Sequence, residues 1–353
     1  MTELLMTPGP TLVPLEIRGA MSMPVIHHRT PEFIELFHET TNRLKRVFKT
    51  ENDTFILSGS GTACMEAAIC NTVQKGDKVL TLVNGKFSER LGDLAKVYGA
   101  DVKVLEFDWG SPIDPALVKE ALTPDTKLVT MVFNETSTGV KNEVKPISDL
   151  LNGTETLLLV DAISALGGDE FKTDEWGVDL CISGSQKCFA MATGLGFISV
   201  SQKAWSAIND NPNPRYYLDL RKYKDAKPTP FSTSVTLIYG LSAALDLIAK
   251  EKLETRIVRH QTNAKLCRDG IKKLGFEILP ISEDVCSNTL TAVKSDKAAV
   301  IIKKMLEDHD IRIAGGQAHL KGKVFRIGHM GSITKEHVEK TLKALEEVMK
   351  ELQ

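Results

Sequence analysis

At 353 residues, the chain exceeds the roughly 250–300 residues that one hydrophobic core usually supports, so two domains or a large domain with a satellite are expected. Its content of 42% apolar and 25% charged residues excludes disordered and fibrous classes. A formal charge of −2 offers nothing to nucleic acid or an anionic membrane, and neither is expected as a partner.

In chain order, residues 1–15 read as an N-terminal arm. The start, Met1-Thr2-Glu3-Leu4-Leu5-Met6-Thr7-Pro8, has no basic cluster and no long apolar run, so no signal peptide is expected and the cytoplasm is the expected compartment. Pro8, Pro10 and Pro14 make the segment 6–14 an extended arm. Short apolar runs then recur at 54–57, 78–83, 102–107, 128–133, 156–160, 178–182 and 195–200, with helical spacing at 62–73, 87–98 and 115–122. This alternation predicts an α/β fold: a mostly parallel sheet with helices on both faces and ligands at the carboxyl ends of the strands. The stretches 209–214 and 222–230, rich in Asn, Asp, Lys and Pro, read as an exposed excursion. A helix over 237–252 leads out of a large domain spanning 16–252. The rest, 253–353, mixes strands near 276–279, 289–293 and 324–327 with helices at 257–274, 298–308 and 335–351, which suits a smaller α+β domain. The six cysteines show no metal or disulfide spacing and read as small buried hydrophobes. No segment approaches 18 uninterrupted apolar residues, so none is expected to span a bilayer.

Two residues at the expected carboxyl edge carry the strongest chemistry. Asp161 closes the run 157–160, and Lys187 ends Ser183-Gly184-Ser185-Gln186-Lys187 after the run 178–182. Pyridoxal phosphate needs such a pair: the amine makes the Schiff base, and the acid keeps the ring nitrogen protonated. Acids at strand ends and lysines after turns are also common without that role. Ser58-Gly59-Ser60-Gly61-Thr62 closes the first strand and opens a helix, where small residues, free N–H groups and the helix dipole favour phosphate. An ordinary turn with Thr62 as N-cap reads the same way. It is neither a Walker loop nor a dinucleotide fingerprint. Phe87, in Asn84-Gly85-Lys86-Phe87, can lie flat on a planar ring or pack inside the next helix. Asn134-Glu135-Thr136-Ser137-Thr138-Gly139 offers hydroxyls, or is a polar turn. Arg326, in an apolar strand, can capture a carboxylate in bidentate fashion or face solvent. His27-His28-Arg29 is a second anion site or a polar loop.

Together, the stretches 7–10, 58–62, 84–87 with Glu89-Arg90, 135–139, 161–168, 183–187 and 322–328 resemble the fold-type I, class V pyridoxal-phosphate aminotransferases, most like the alanine–glyoxylate and serine–pyruvate group. They run in family order over nearly the whole chain. The resemblance implies a seven-stranded sheet, pyridoxal 5′-phosphate as cofactor, and a two-stage transfer from alanine, serine or aspartate to glyoxylate or pyruvate. It implies Lys187 as the Schiff-base lysine and Asp161 as partner of the ring nitrogen. Ser60, Gly61, Thr62 and Gln186 would hold the phosphate, Phe87 and Ile163 the ring faces, and Thr136 the ring oxygen. Arg326 would clamp the substrate carboxylate, and Arg29 could read a side-chain anion. It also implies a homodimer, with Ser232 of a neighbouring subunit at the phosphate. Here Ser232 and Thr233 replace a usual threonine and a usual proline.

Three other readings remain. A cysteine desulfurase needs a reactive cysteine in a mobile loop, and neither Cys188 nor Cys286 sits in such a pattern. A 2-aminoethylphosphonate transaminase could use His28 and Arg29. A non-catalytic subunit could keep the fold alone, although the retained Lys187, Asp161 and Arg326 argue against it.

Overall fold

The computed structural model describes residues 3–352; residues 1 and 2 of the expected arm and residue 353 of the expected small domain lie outside the described residues. Seven strands form the main sheet in the spatial order Asp53–Ser58, Leu195–Val200, Leu180–Gly184, Leu157–Asp161, Thr126–Val132, Lys78–Val83, Asp101–Glu106. Leu195–Val200 runs antiparallel to both of its neighbours, and the other pairings are parallel. This is the mostly parallel sheet that the apolar runs predict.

Alternation along each strand feeds two cores. Leu158 and Val160 join a cluster with Phe33, Phe37 and Leu44 of the helix Pro31–Phe48 and Ile238 of the helix Val235–Glu251. Leu157 and Leu159 point the other way, to Met65 of the helix Gly61–Thr72 and Trp205 of the helix Gln202–Asp210. Successive side chains of a strand face opposite sides. A continuous apolar run therefore means helices on both faces. Each fully buried Leu or Val contributes roughly 1.5–3 kcal/mol.

The reversed strand matters for the site. Because Leu195–Val200 runs back, it begins at the edge where its neighbours end. The register pairs Val132 with Asp161, Asp161 with Ile182, Gly184 with Gly196, and Leu195 with Ser58. Ser58, Asp161 and Gly184 thus reach one edge, and the loop that leaves Gly184 carries Lys187.

A second, antiparallel sheet is ordered Glu277–Ile278, Leu290–Lys294, Val324–Gly328, Ala314–Gly315. It packs with the helices Leu253–Lys273, Ala298–His309 and Lys335–Glu351 around an apolar cluster that includes Ile301, Phe325 and Leu345. Lys252, at φ 68°, separates the helices Val235–Glu251 and Leu253–Lys273. The arm docks here: Leu4–Leu5 pairs in parallel with Ile311–Arg312, and Gly328 N–H donates to Met6 O at 2.7 Å.

Two features depart from the sequence reading. The pattern marks no element between residues 15 and 53, yet helices occupy Leu15–Met21 and Pro31–Phe48. Thr30 caps the second by accepting from Phe33 N–H, Pro31 stands in the first turn, and Lys49 ends it in the left-handed conformation. The expected exposed excursion is in part buried: Asn211 donates to the carbonyls of Cys70 and Val73, and Arg215 to the Asn71 side chain. Those carbonyls lie at the end of the helix Gly61–Thr72, which leaves its last carbonyls without intrahelical partners. Polar residues are therefore what that place demands.

Candidate active site

The turn between Asp53–Ser58 and Gly61–Thr72 forms one wall. Ser60, not Thr62, is the N-cap residue; it is extended, and its hydroxyl makes no capping bond. The opening N–H groups of a helix lack intrahelical partners. Hydroxyl and amides are thus left for an anion at the positive end of the helix. Gly61 answers a close approach, because a Cβ there would lie 2.5 Å from Ile163 Cδ1.

A second wall comes from the helix Lys86–Val97. Its start is held by Glu135, a fully buried carboxylate. Glu135 accepts from the N–H groups of Phe87 and Ser88 at 3.1 and 2.9 Å, and from the Ser137 N–H and hydroxyl at 3.0 and 2.6 Å. An acid at a helix N-terminus stabilises it by about 0.3–1 kcal/mol at the surface, and more when partly buried. The consequence here is positional: Phe87 is presented from a fixed helix start. Arg90, one turn on, holds its guanidinium 5.1 Å from the Phe87 ring centre and donates to the Thr62 hydroxyl at 3.3 Å.

Asp161 is 3% exposed, and its Oδ1 accepts from Ile163 N–H at 2.7 Å. Burial pushes its pKa up to about 7 against the pull of that amide, and the Glu135 charge adds to the rise. Lys187 is 9% exposed, and burial lowers its amine to about 8. Asp161 opposes that lowering and Arg326 adds to it. Desolvation thus outweighs mutual attraction in both groups. Lys187 Nζ donates to Pro8 O. Gly9, at φ 115°, lies so close that a Cβ would sit 2.7 Å from Nζ.

Arg326 is 6% exposed; its Nε donates to Gly315 O and its Nη1 to Thr136 O, both at 2.9 Å. Among the described residues it has no carboxylate partner within ion-pair distance. Burial pushes its pKa down to about 10, and Glu135 opposes this. The Thr136 hydroxyl donates to Ser164 Oγ at 2.8 Å.

Ser60, Gly61, Thr62, Phe87, Thr136, Asp161, Ile163, Gln186 and Lys187 line one cavity of about 110 Å³, together with Met65 and Arg90. Nine of the sequence-predicted residues therefore meet in one place. Arg326 is not among these lining residues and donates to the carbonyl of Thr136, which is. A larger cleft, about 440 Å³, lies beside Phe189 and Arg259 and contains none of these groups. Two of the expected residues lie apart from this cavity within the single chain. Arg29 is exposed and spends its donors on Lys227 O and Thr229 O at 3.0 and 2.6 Å, tying down a loop. Ser232 lines a separate crevice with Tyr217 and Thr233, whose hydroxyl lies 3.1 Å from that of Ser58. Glu135 and Arg90 are the functional residues that the sequence reading leaves without a role, although both stand in motif stretches.

Residues 18–340 match the family described as aminotransferase class-V. The chain belongs to that family. An uncharacterized aminotransferase of Methanocaldococcus jannaschii is 44% identical, over 99% of this chain and 93% of its own length. A soluble hydrogenase 42 kDa subunit of Anabaena cylindrica is 38% identical over 99% and 94%. An L-aspartate–glyoxylate aminotransferase of Paracoccus denitrificans is 35% identical over 98% and 90%. The crystal structure of an alanine–glyoxylate aminotransferase from Nostoc sp. superposes with a TM-score of 0.95 at 34% identity, covering 99% of this chain and 96% of the other.

Class V aminotransferases are transaminases that work with pyridoxal 5′-phosphate, and this member's cavity fits that group. The Gln186 side-chain carbonyl is buried without a hydrogen-bond partner among the described residues. Turning the amide over would offer its NH₂ to a phosphate oxygen. The uncapped helix start, the amine and the buried acid supply the other contacts such a molecule needs. Among the described residues, no helix is long and apolar enough to cross a membrane, and no cluster of three or more metal-binding side chains occurs.

Proposed function

We propose that this class V aminotransferase moves the amino group of a small amino acid (alanine, serine or aspartate) to glyoxylate or pyruvate in two half-reactions. Arg326 carries the reading. It is a buried cation held by two backbone carbonyls, with no carboxylate partner among the described residues, beside the cavity that contains Lys187 and Asp161. A buried charge without a counter-charge costs several kcal/mol. The α-carboxylate common to amino donors and keto-acid acceptors supplies one.

In this reading Ser60, Gly61, Thr62 and Gln186 hold the cofactor phosphate, with Arg90 as the neighbouring cation. Phe87 and Ile163 take the two ring faces, and the Thr136 hydroxyl meets the ring oxygen. Bound there, pyridoxal phosphate supplies an aldehyde that condenses with amines and a ring that takes up the electron pair released at the α-carbon. Lys187 Nζ would carry the proton from the substrate α-carbon to the carbonyl-derived carbon of the cofactor, and carry it in the opposite direction in the second half-reaction. Its lowered pKa keeps a large share of the amine unprotonated near pH 8. Asp161 keeps a proton on the ring nitrogen, and that cation in turn draws the acid's pKa below its present value.

The test is direct: the holoenzyme is given glyoxylate with alanine, serine, aspartate or 2-aminoethylphosphonate, and glycine and the matching carbonyl product are measured. Equal amounts from at least one of the three amino acids are expected, and none from the phosphonate. No glycine from any donor with glyoxylate, and no alanine from serine or aspartate with pyruvate, would favour the second reading, a non-catalytic subunit, which the likeness to the hydrogenase subunit brings forward. A homodimer belongs to the proposal, with Ser232 serving the phosphate of the partner's cavity and Arg29 kept as the candidate reader of a side-chain anion. Leu15, Val25 and Tyr216 are exposed apolar residues suited to such a contact. A fully active monomer in sedimentation would refute that part.

A further inference from the structure

The loops that bring Lys187, Asp161 and Arg326 together are fastened to one short stretch of another helix. Arg256, near the start of Leu253–Lys273, is 5% exposed. Its Nε donates to Gly167 O at 3.0 Å, in the loop after Asp161, and its Nη2 to Cys188 O at 2.6 Å, next to Lys187. Its Nη1 reaches Glu251 at 2.7 Å, and Glu251 also holds Arg259 at 2.6 Å. Arg259 donates to Gly331 O at 2.9 Å, just beyond the strand of Arg326. His260 completes the set. Its Nε2 accepts from Gly331 N–H at 3.0 Å, so Nδ1 carries the proton and donates to Arg256 O at 2.7 Å. A ring that must accept at Nε2 is neutral, and burial holds its pKa well below the usual histidine range.

These bonds close tightly around Lys187. Gly331, at φ 73°, packs where a Cβ would stand 3.2 Å from Lys187 O, and a Cβ on Gly168 would stand 2.6 Å from Cys188 Sγ. A guanidinium with donors in a fixed plane fixes the spacing of its acceptors, which lysine cannot do. We propose that Arg256 is a positioning residue for the transamination reaction: through Cys188 O and Gly167 O it sets the Lys187 amine against the Asp161 carboxylate, with Glu251 holding its head in place. The inference rests on the reading of Lys187 as the amine that holds the cofactor.

The experiment counts working sites and measures turnover per site. Holoenzyme is reduced with borohydride, the cofactor-bearing lysine is located by peptide mass, and kcat and KM are expressed per trapped site for wild type, Arg256→Met, Arg256→Lys and Glu251→Gln. For Arg256→Met, kcat per site should fall about 100-fold with KM for the amino acid little changed, as a displacement near 1 Å does. Arg256→Lys should fall between. A merely structural role lowers the melting temperature and the number of sites but leaves kcat per site intact. That result would overturn the proposal. Should Arg256→Met fail to fold, Glu251→Gln carries the test: it keeps both carbonyl bonds, and its kcat per site should drop in the same direction by a smaller factor. An unchanged value there would overturn the proposal equally. A trapped lysine other than Lys187 would overturn the underlying reading instead, and the peptide mass separates that failure from the first.

Discussion

The lowered pKa of Lys187 makes the rate at which the apoenzyme captures pyridoxal phosphate a function of pH with a definite break. Only the unprotonated amine attacks a carbonyl. With its pKa near 8, half the Lys187 amine is free at pH 8, against roughly 0.4% for an ordinary lysine near 10.4, an advantage on the order of 100-fold. Stopped-flow absorbance should show the rate rising tenfold per pH unit below the break and levelling near pH 8. The neighbours set the direction of change in variants. Arg326 favours loss of the proton, so Arg326→Met should move the break to higher pH. Asp161 favours its retention. Asp161→Asn should move the break lower, because above about pH 7 the wild-type acid is ionised and opposes deprotonation. A rate that climbs without a break through pH 10 would refute the assignment of a desolvated amine, and shifts of the opposite sign would refute the arrangement of charges.

Asp161→Asn should lower kcat by about 100-fold or more with a smaller change in KM, the pattern for an interaction made mainly in the transition state; steady-state kinetics with alanine checks it. Arg326→Lys keeps the charge but cannot hold Gly315 O and Thr136 O and still offer a planar edge. Apparent affinity for donor and acceptor should weaken together by about 2–3 kcal/mol, and unchanged alanine kinetics would remove Arg326 as the clamp. Gly61→Ala places a methyl 2.5 Å from Ile163 Cδ1. It should loosen cofactor retention, measured as loss of visible absorbance on dialysis, while leaving the melting temperature of the apoenzyme within a few degrees.

Most strands of the main sheet were legible because they are short apolar runs, several followed by Gly, Asn or Asp, and the central ones are covered on both faces. The helix Pro31–Phe48 was not. Its buried stripe of Phe33, Phe37, Thr40 and Leu44 is interrupted by charges, and the Thr30-Pro31-Glu32 start signal is easily taken for a loop. The cavity residues that sit beside their own strand ends, Ser60 to Thr62, Asp161 and Lys187, could be read locally. Glu135 could not, because its partners Phe87 and Ser88 lie in another crossover of the chain, and a polar turn looks alike whether its acid faces water or a distant helix. The same holds for Arg256 and His260, whose partners in the loops around Lys187 are backbone carbonyls and an amide that leave no trace in residue type. Arg29 and Ser232 lie apart from the cavity in the single chain, where Arg29 holds a surface loop and Ser232 lines a side crevice.

The arm that lies on Lys187 makes order of assembly part of the chemistry. Leu4–Leu5 finds its partner strand at Ile311–Arg312, and Met6 its donor at Gly328. Pro8 and Gly9 can come down on the amine only after those later segments are in place. Until then the amine stays open on that side and a cofactor can enter. Loosening the pairing of Leu4–Leu5 with Ile311–Arg312 should therefore alter the surroundings of the Lys187 amine without touching a single residue that lines the cavity.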